Sequence, residues 1–326
     1  MSDETSRDAP VIGIDVGGTN MQFGVVDAAN AIIGRAAART EAAEGLDHVL
    51  DTIVAGVGAA CRAAGVKRED IAAVGVVAAG AMDIPRGIVL IAPNLDWHDV
   101  PLRDLLQQRI GRPVVLDNDV NGATWGEYHL GAGDGRGDAL GVWVGTGIGG
   151  GLVFNGRLHH GDFFTAGEIG HTVVEPSGPP GRRTVEDLCS RTGIRKVMGD
   201  ALAGHPGSII RELTAGDMSR LGTDQIKTAY EAGDELAVDV IHHAADLLGV
   251  AIANWVTMLA MRTVFIGGGI TEALGEPYLD RIRASFHNDV FPDRCRDCRL
   301  VMTKLAADSG LLGAALLARQ VISSGA

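Results

Sequence analysis

The sequence predicts an α/β protein built as two lobes. Apolar, strand-like runs alternate with helical stretches along most of the chain. A unit of strand, glycine turn and strand occurs twice, at 11–26 and again at 140–154, an offset of about 128 residues. The 326 residues exceed what one ordinary core holds, whereas two lobes of roughly 150 residues can each bury one. The duplication implies that both halves open on the same unit and that the two turns face one cleft. The expected division is 1–122 with 309–326 in the first lobe and 123–308 in the second.

The elements follow in order. VIGIDVGGTNMQFGVV (11–26) reads as an apolar strand, a Gly-Gly turn and an alternating strand. Residues 42–64 read as helix; IAAVGVVAAGAMD (71–83) and RPVVLDND (112–119) each read as a strand running into a loop. After LGVWVGTGIGGGLVF comes a long loop from Glu168 to about Arg183, then mostly helix to Met261, then TVFIGGGI (263–270), a strand broken by three glycines. The apolar run Leu247–Met261, interrupted by Asn254, falls short of the roughly 20 residues a bilayer needs and is expected as a buried helix. The polar opening MSDETSRDAP is expected to fray. No segment between about 20 and 310 reads as a linker, so the lobes should pack together.

A formal charge of −13 argues against nucleic-acid or anionic-membrane partners, which are recognised largely through Lys and Arg. Four cysteines, Cys61, Cys189, Cys295 and Cys298, without a secretory signal fit a reducing cytoplasm. Cys295 and Cys298 are half of a zinc ligand set, and reduced thiols are the expected reading.

Several short motifs carry chemistry. Asp15-Val16-Gly17-Gly18-Thr19-Asn20 ends a strand, where glycine lets backbone N–H groups approach a phosphate, Asp15 is suited to orienting magnesium and Thr19 to donating its hydroxyl. A plain hairpin turn has the same residues. Gly145-Thr146-Gly147-Ile148-Gly149-Gly150 matches G-x-G-x-x-G, but GLVFNG after it is strand and turn rather than helix. A dinucleotide site is therefore set aside for a phosphate-cradling hairpin. No Walker A pattern occurs. Asp117-Asn118-Asp119 follows the apolar Val114-Val115-Leu116 and should stand at the mouth of a buried strand, as a ligand site, a helix cap or a metal turn. Glu168 and His171 are three residues apart in GEIGH and both can bond vicinal hydroxyls; a structural role for the histidine, and a surface role for Glu186, remain open.

Taken in order, DVGGTN, PNLDW, DNDVN, VGTGIGG, GEIGH and FIGGGI resemble the ROK family of bacterial sugar kinases and repressors, and within it most resemble the glucokinases. The likeness covers about Val11 to Leu317. It implies an actin-like ATPase fold of two ribonuclease-H-like lobes, with ATP, magnesium and sugar in the cleft. It implies that Asp119 is the catalytic base, that Asn118, Glu168, His171 and Glu186 hold sugar hydroxyls, and that Asn94 and the backbone near Gly80 line the same pocket. Asp15, Gly17, Gly18, Thr19 and Asn20 match one phosphate loop; Gly145, Thr146 and Gly147 match the other, and Gly267, Gly268 and Gly269 the adenosine loop. A dimer or tetramer is also implied.

The family's structural zinc site has no counterpart here: Ser177, Pro179 and Thr184 stand at its three cysteine positions. Serine and proline do not replace thiolates on zinc, so none is expected and the loop should be held by its prolines and by Arg182 or Arg183. The expected activity is phosphorylation of the 6-hydroxyl of a hexose. Ala92-Pro93-Asn94-Leu95-Asp96-Trp97 points to glucose, with mannose, fructose and N-acetylhexosamines as alternatives in the same family, and a sugar sensor that does not bind DNA behind them. A DNA-binding repressor is disfavoured because the first motif begins ten residues in, and a filament because sugar-binding groups have no use there.

Overall fold

The computed structural model describes residues 8–324, so the expectation for the chain's first seven residues falls outside the described residues. The first lobe starts with β1 (Val11–Val16), β2 (Asn20–Val26), β3 (Ile32–Arg39), α1 (Leu46–Ala64) and β4 (Val74–Ala78). A small meander, β5 (Ala81–Asp83), β6 (Ile88–Ala92) and β7 (Trp97–Val100), precedes α2 (Leu102–Ile110), β8 (Val114–Asn118) and α3 (Asp119–Leu130). The second part contains β9 (Ala139–Val144), β10 (Ile148–Phe154), β11 (Arg157–Leu158), α4 (Val185–Cys189), α5 (Arg191–Ala201), α6 (Ile210–Thr214) and α7 (Thr223–Glu231). It ends with α8 (Glu235–Leu259), β12 (Thr263–Gly267), α9 (Gly269–Asp289) and β13 (Arg299–Met302), after which α10 (Ser309–Ser324) returns to pack on β1 and β4 of the first sheet.

The duplication read from the sequence is the architecture. The two large sheets have orders β3-β2-β1-β4-β8 and β11-β10-β9-β12-β13. In each, the opening hairpin is antiparallel, and its first strand then runs parallel to a later one, β1 to β4 and β9 to β12. Ala139 lies 128 positions after Val11, and Ile148 lies 128 after Asn20. Central strands β4 and β12 are buried at every residue, as strands covered on both faces must be. Separate cores result. Ile12, Ile14 and Phe23 pack with Leu50, Ile53 and Val57 of α1, while Val142, Val264 and Ile266 pack with Leu248, Ile252 and Leu279 of α8 and α9.

Helix α8 is longer than its apolar run suggested. Its 25 residues meet the length and composition of a membrane-crossing segment, yet they pack in the second core against α9. The sequence showed only its C-terminal half because Glu235, Asp239, His242, His243 and Asp246 interrupt the N-terminal half.

Helices α3 and α10 cross at the junction of the sheets. Their backbones touch: a Cβ on Gly313 would stand 1.7 Å from the Gly122 carbonyl oxygen, so only glycine fits there. Glu127, fully buried in α3, accepts from the N–H groups of Ala132, Lys304 and Leu305 and from the Ser309 hydroxyl. That satisfied carboxylate ties the end of α3 to the start of α10.

Candidate active site

The Asp117-Asn118-Asp119 run splits three ways because a buried strand turns directly into a helix there. Asn118 is the N-cap of α3: its Oδ1 accepts from Val120 N at 2.8 Å and from Asn121 N at 3.2 Å, and its Nδ2 donates to Gly80 O at 3.1 Å. Asp117 points inward. Its Oδ1 accepts from Asn118 N and Asn121 Nδ2, and its Oδ2 meets His160 Nε2 at 2.8 Å. Asp119, the first helical residue, faces a cavity of about 630 Å³.

That cavity joins parts of both sheets. Ala79, Gly80, Pro93 and Asn94 line it from the first lobe. Gly145, Thr146 and Gly147 of the second glycine turn line it opposite, with Glu168, His171, Glu186 and Gly268 around them. Asp15, Gly17, Gly18, Thr19, Asn20, Gly267 and Gly269 are outside this lining. Gly18 sits directly behind Asn94, since a Cβ on it would come 3.0 Å from the Asn94 Cβ. Gly267 ends β12 opposite Trp143, and Gly269 opens α9.

The carboxylates here are electrostatically unusual. Burial pushes Asp15 up to about 7, with the nearby Asp119 charge adding to it. Burial also raises Asp119, against the N–H of Val120, its own N–H and the Asn118 side chain, which favour the ionised form; Glu168 adds to the rise. Asp119 thus faces the cavity and its charge acts on Asp15, which lies outside the cavity lining; perturbed carboxylates of this kind are candidates for a functional site.

Glu186 has a divided role. Its Oε2 accepts from Ile148 N at 2.7 Å, bracing the second turn, and it also reaches the cavity wall. Glu168 and His171 are exposed, their nearest charged atoms 3.8 Å apart. Thr146 is held from outside the cavity: Arg191 donates its Nη2 to the Thr146 hydroxyl at 2.5 Å and its backbone N–H to Gly145 O at 2.9 Å. Among the described residues Arg191 has no ion-pair partner.

Sequence reasoning did not single out Trp143, Phe164, His160 or Arg191. Trp143 and Phe164 line the cavity. Phe164 holds a left-handed φ of 57°, uncommon for a bulky residue, and adjacent Phe163 is 83% exposed. The 128-residue offset does pick out Trp143, which stands in β9 where Asp15 stands in β1.

In the long loop, Pro179 O accepts from Arg182 N at 3.0 Å, and the Arg182 guanidinium bonds Asp200. The Arg183 carbonyl accepts from Val174 N and Glu175 N. Thr184 caps α4, accepting from Asp187 N at 3.1 Å while Asp187 accepts from Thr184 N. All four cysteines are free thiols, and burial pushes the Cys298 thiol up to about 12.

Residues 11–321 match the sequence model of the ROK family. The glucokinase of Halalkalibacterium halodurans is 32% identical over 314 residues, covering 95% of this chain and 94% of that protein. An N-acetylmannosamine kinase of Escherichia coli is also 32% identical over 314 residues, covering 94% of this chain and 98% of that one. The crystal structure of a ROK family glucokinase from Streptomyces griseus in complex with glucose and AMPPNP aligns with a TM-score of 0.81 at 34% identity, over 95% of this chain and 99% of that one.

Proposed function

This chain belongs to the ROK family, and from that membership we propose that it transfers the γ-phosphoryl group of ATP to the 6-hydroxyl of a hexose, glucose first, with Asp119 as general base. The observation that carries this reading is the position of Asp119. It stands at a strand-to-helix junction, in a cavity walled on one side by a glycine turn and on another by Glu168 and His171.

The chemistry follows from these groups. A sugar hydroxyl is a weak nucleophile, and phosphoryl transfer depends mostly on positioning and charge stabilisation. Glu168, His171, Glu186, Asn94 and Asn118 would bind ring hydroxyls and aim one at phosphorus, with the Gly80 carbonyl fixing Asn118. Asp119 would take the hydroxyl proton as the O–P bond forms and the bond to the ADP oxygen breaks. N–H groups of the turns at Gly17-Gly18-Thr19-Asn20 and Gly145-Thr146-Gly147 would cradle the phosphates, Arg191 would add a cation beside the second, and Gly267-Gly268-Gly269 would border the adenosine.

Magnesium fits the donors present. Asp15 is a buried carboxylate with its pKa raised to about 7 that feels the charge of Asp119, and a hard oxygen donor of this kind, completed by water and phosphate oxygens, would suit this ion. Asp15 would orient it, and the bound ion would neutralise phosphate charge. Closure of a lobe comprising 1–122 and 309–326 onto one comprising 123–308 would exclude water. The reading includes a cytoplasmic dimer or tetramer. Met258 and Phe291, each 71% exposed, supply apolar surface near the end of α8 for such contacts.

A coupled assay for ADP release across hexoses and N-acetylhexosamines tests the proposal. Glucose should give the highest kcat/KM. A preference for N-acetylmannosamine, the reading favoured by the equally identical relative, would keep the enzyme class and replace the sugar; no ADP release with any sugar would refute the kinase.

A further inference from the structure

Asp117, in a strand of the first sheet, meets His160, just beyond a strand of the second. Asp117 is the penultimate residue of β8 in the first sheet, while His160 lies two residues beyond β11 of the second. The Asp117 side chain is 3% exposed and that of His160 is 23% exposed. A carboxylate so buried is costly unless its lone pairs are filled. Here Oδ1 is filled from its own strand end by Asn118 N at 2.8 Å and Asn121 Nδ2 at 2.9 Å, and Oδ2 is filled from the other sheet by His160 Nε2 at 2.8 Å. Burial alone would push the His160 ring toward its neutral form, but the hydrogen bond and charge of Asp117 outweigh it and raise the pKa.

What His160 carries is the loop to the sugar-facing groups. The loop closes on itself, with Ala166 N donating to His160 O at 3.1 Å, and Gly150 N donating to Gly167 O at 2.9 Å. Gly167 has φ 99° and lies so close to the Gly150 carbonyl that a Cβ would come within 2.1 Å of its oxygen. The segment is therefore pinned at its far end by backbone and at its near end by the His159 N–H bond to Leu152 O at 2.9 Å together with the His160 side chain, with Phe164 and Glu168 facing the cavity. On the other side of the same bond, Asp117 orders Asn118 and Asn121, which frame Asp119.

We propose that the His160–Asp117 hydrogen bond is a positioning clasp. It registers the loop bearing Glu168 against the strand end bearing Asn118 and Asp119, and so sets sugar affinity and turnover together without touching the substrate. This rests on the sugar-kinase reading above. Misplacing a reacting group by about 1 Å can cost on the order of 100-fold in rate, so a clasp at this junction has leverage out of proportion to one bond.

The test compares full-length wild type, His160→Ala and His160→Gln by steady-state kinetics and by backbone hydrogen exchange without ligands. His160→Ala should raise the sugar KM about tenfold and lower kcat severalfold, with the ATP KM within about twofold of wild type, since it frees the loop but not the phosphate turns. Exchange should quicken across residues 159–168. His160→Gln keeps an N–H donor and should recover most of both effects. Should His160→Ala not fold, His160→Asn, whose amide is too short to reach Asp117, carries the same expectation. Unchanged sugar KM in an active variant, equal damage to the ATP and sugar KM values, or unchanged exchange overturns the clasp and leaves the kinase standing. Wild-type protein that phosphorylates no sugar overturns the kinase reading, and the clasp as a device of that reaction with it.

Discussion

The two glycine hairpins share a plan and differ in chemistry. In both, a six-residue strand leads into a seven-residue one. The first turn spans 17–20 between Val16 and Met21, and the second spans only 145–147 between Val144 and Ile148. The shorter turn shifts cross-strand register by one residue. At the penultimate position of the first strand, Asp15 in one hairpin answers to Trp143 in the other. The first turn thus has a perturbed carboxylate beside it, and the second has an indole together with the Arg191 cation behind Thr146. The duplication gives two backbone hairpins with different side chains beside them; on the proposed function both turns would cradle phosphate, with Asp15 adding a metal-orienting carboxylate at the first and Arg191 a cation at the second.

The largest expected effect lies between the turns. Asp119→Asn should lower kcat by roughly 100- to 10,000-fold while sugar and nucleotide binding, read by calorimetry, stay near wild type. Turnover close to wild type would show that Asp119 is not the base. Next comes Asp15→Asn, expected to lower kcat/KM for ATP by on the order of 100-fold if this carboxylate orients the metal. It also carries a stability signature. The folded-state pKa of Asp15 is raised to about 7, so its favourable contribution is complete below the ordinary carboxylate pKa of 3.8 and is lost as pH rises through about 7. Thermal melts in EDTA should therefore show the Asn variant more stable than wild type at pH 8 and equal to it near pH 4; equal melting at both pH values would contradict a buried, uncompensated charge.

The scaffold was legible in the sequence because it repeats. The 128-residue offset, the strand ends at Asn118 and Gly267 and the helix after Ala42 all follow from periodicity and glycine turns. The short strands β5, β6 and β7 did not, because runs of three to five residues carry little pattern. Within the site, the place of Asp117-Asn118-Asp119 at the mouth of a buried strand was readable from its neighbours, whereas the division of labour within it was not: that Asn118 caps a helix and Asp117 turns inward depends on where the strand stops. Glu186 bonding Ile148 N across 38 residues, and His160 bonding Asp117 across 43, are products of tertiary packing with no local signature. Arg191 was hidden for a different reason, since an arginine at a helix start reads as an exposed charge until Thr146 is placed beneath it.

The second turn offers two smaller tests. Arg191→Gln should raise the ATP KM about tenfold, the scale of one charge-assisted hydrogen bond, and leave the sugar KM unchanged. Raising both equally would reduce Arg191 to a brace for the turn.

Trp143→Phe should do least. Phenylalanine keeps an aromatic plane on the cavity wall and loses the indole N–H with part of the ring area, so kcat/KM for ATP should move by less than about threefold. The comparison with Asp15 is the informative part. If the two penultimate positions are functionally divided, Asp15→Asn and Trp143→Phe differ by an order of magnitude or more in the same assay. If Trp143→Phe proves as damaging as Asp15→Asn, the indole is contacting nucleotide or metal-bound water, and the two hairpins remain a functional pair despite the change of side chain.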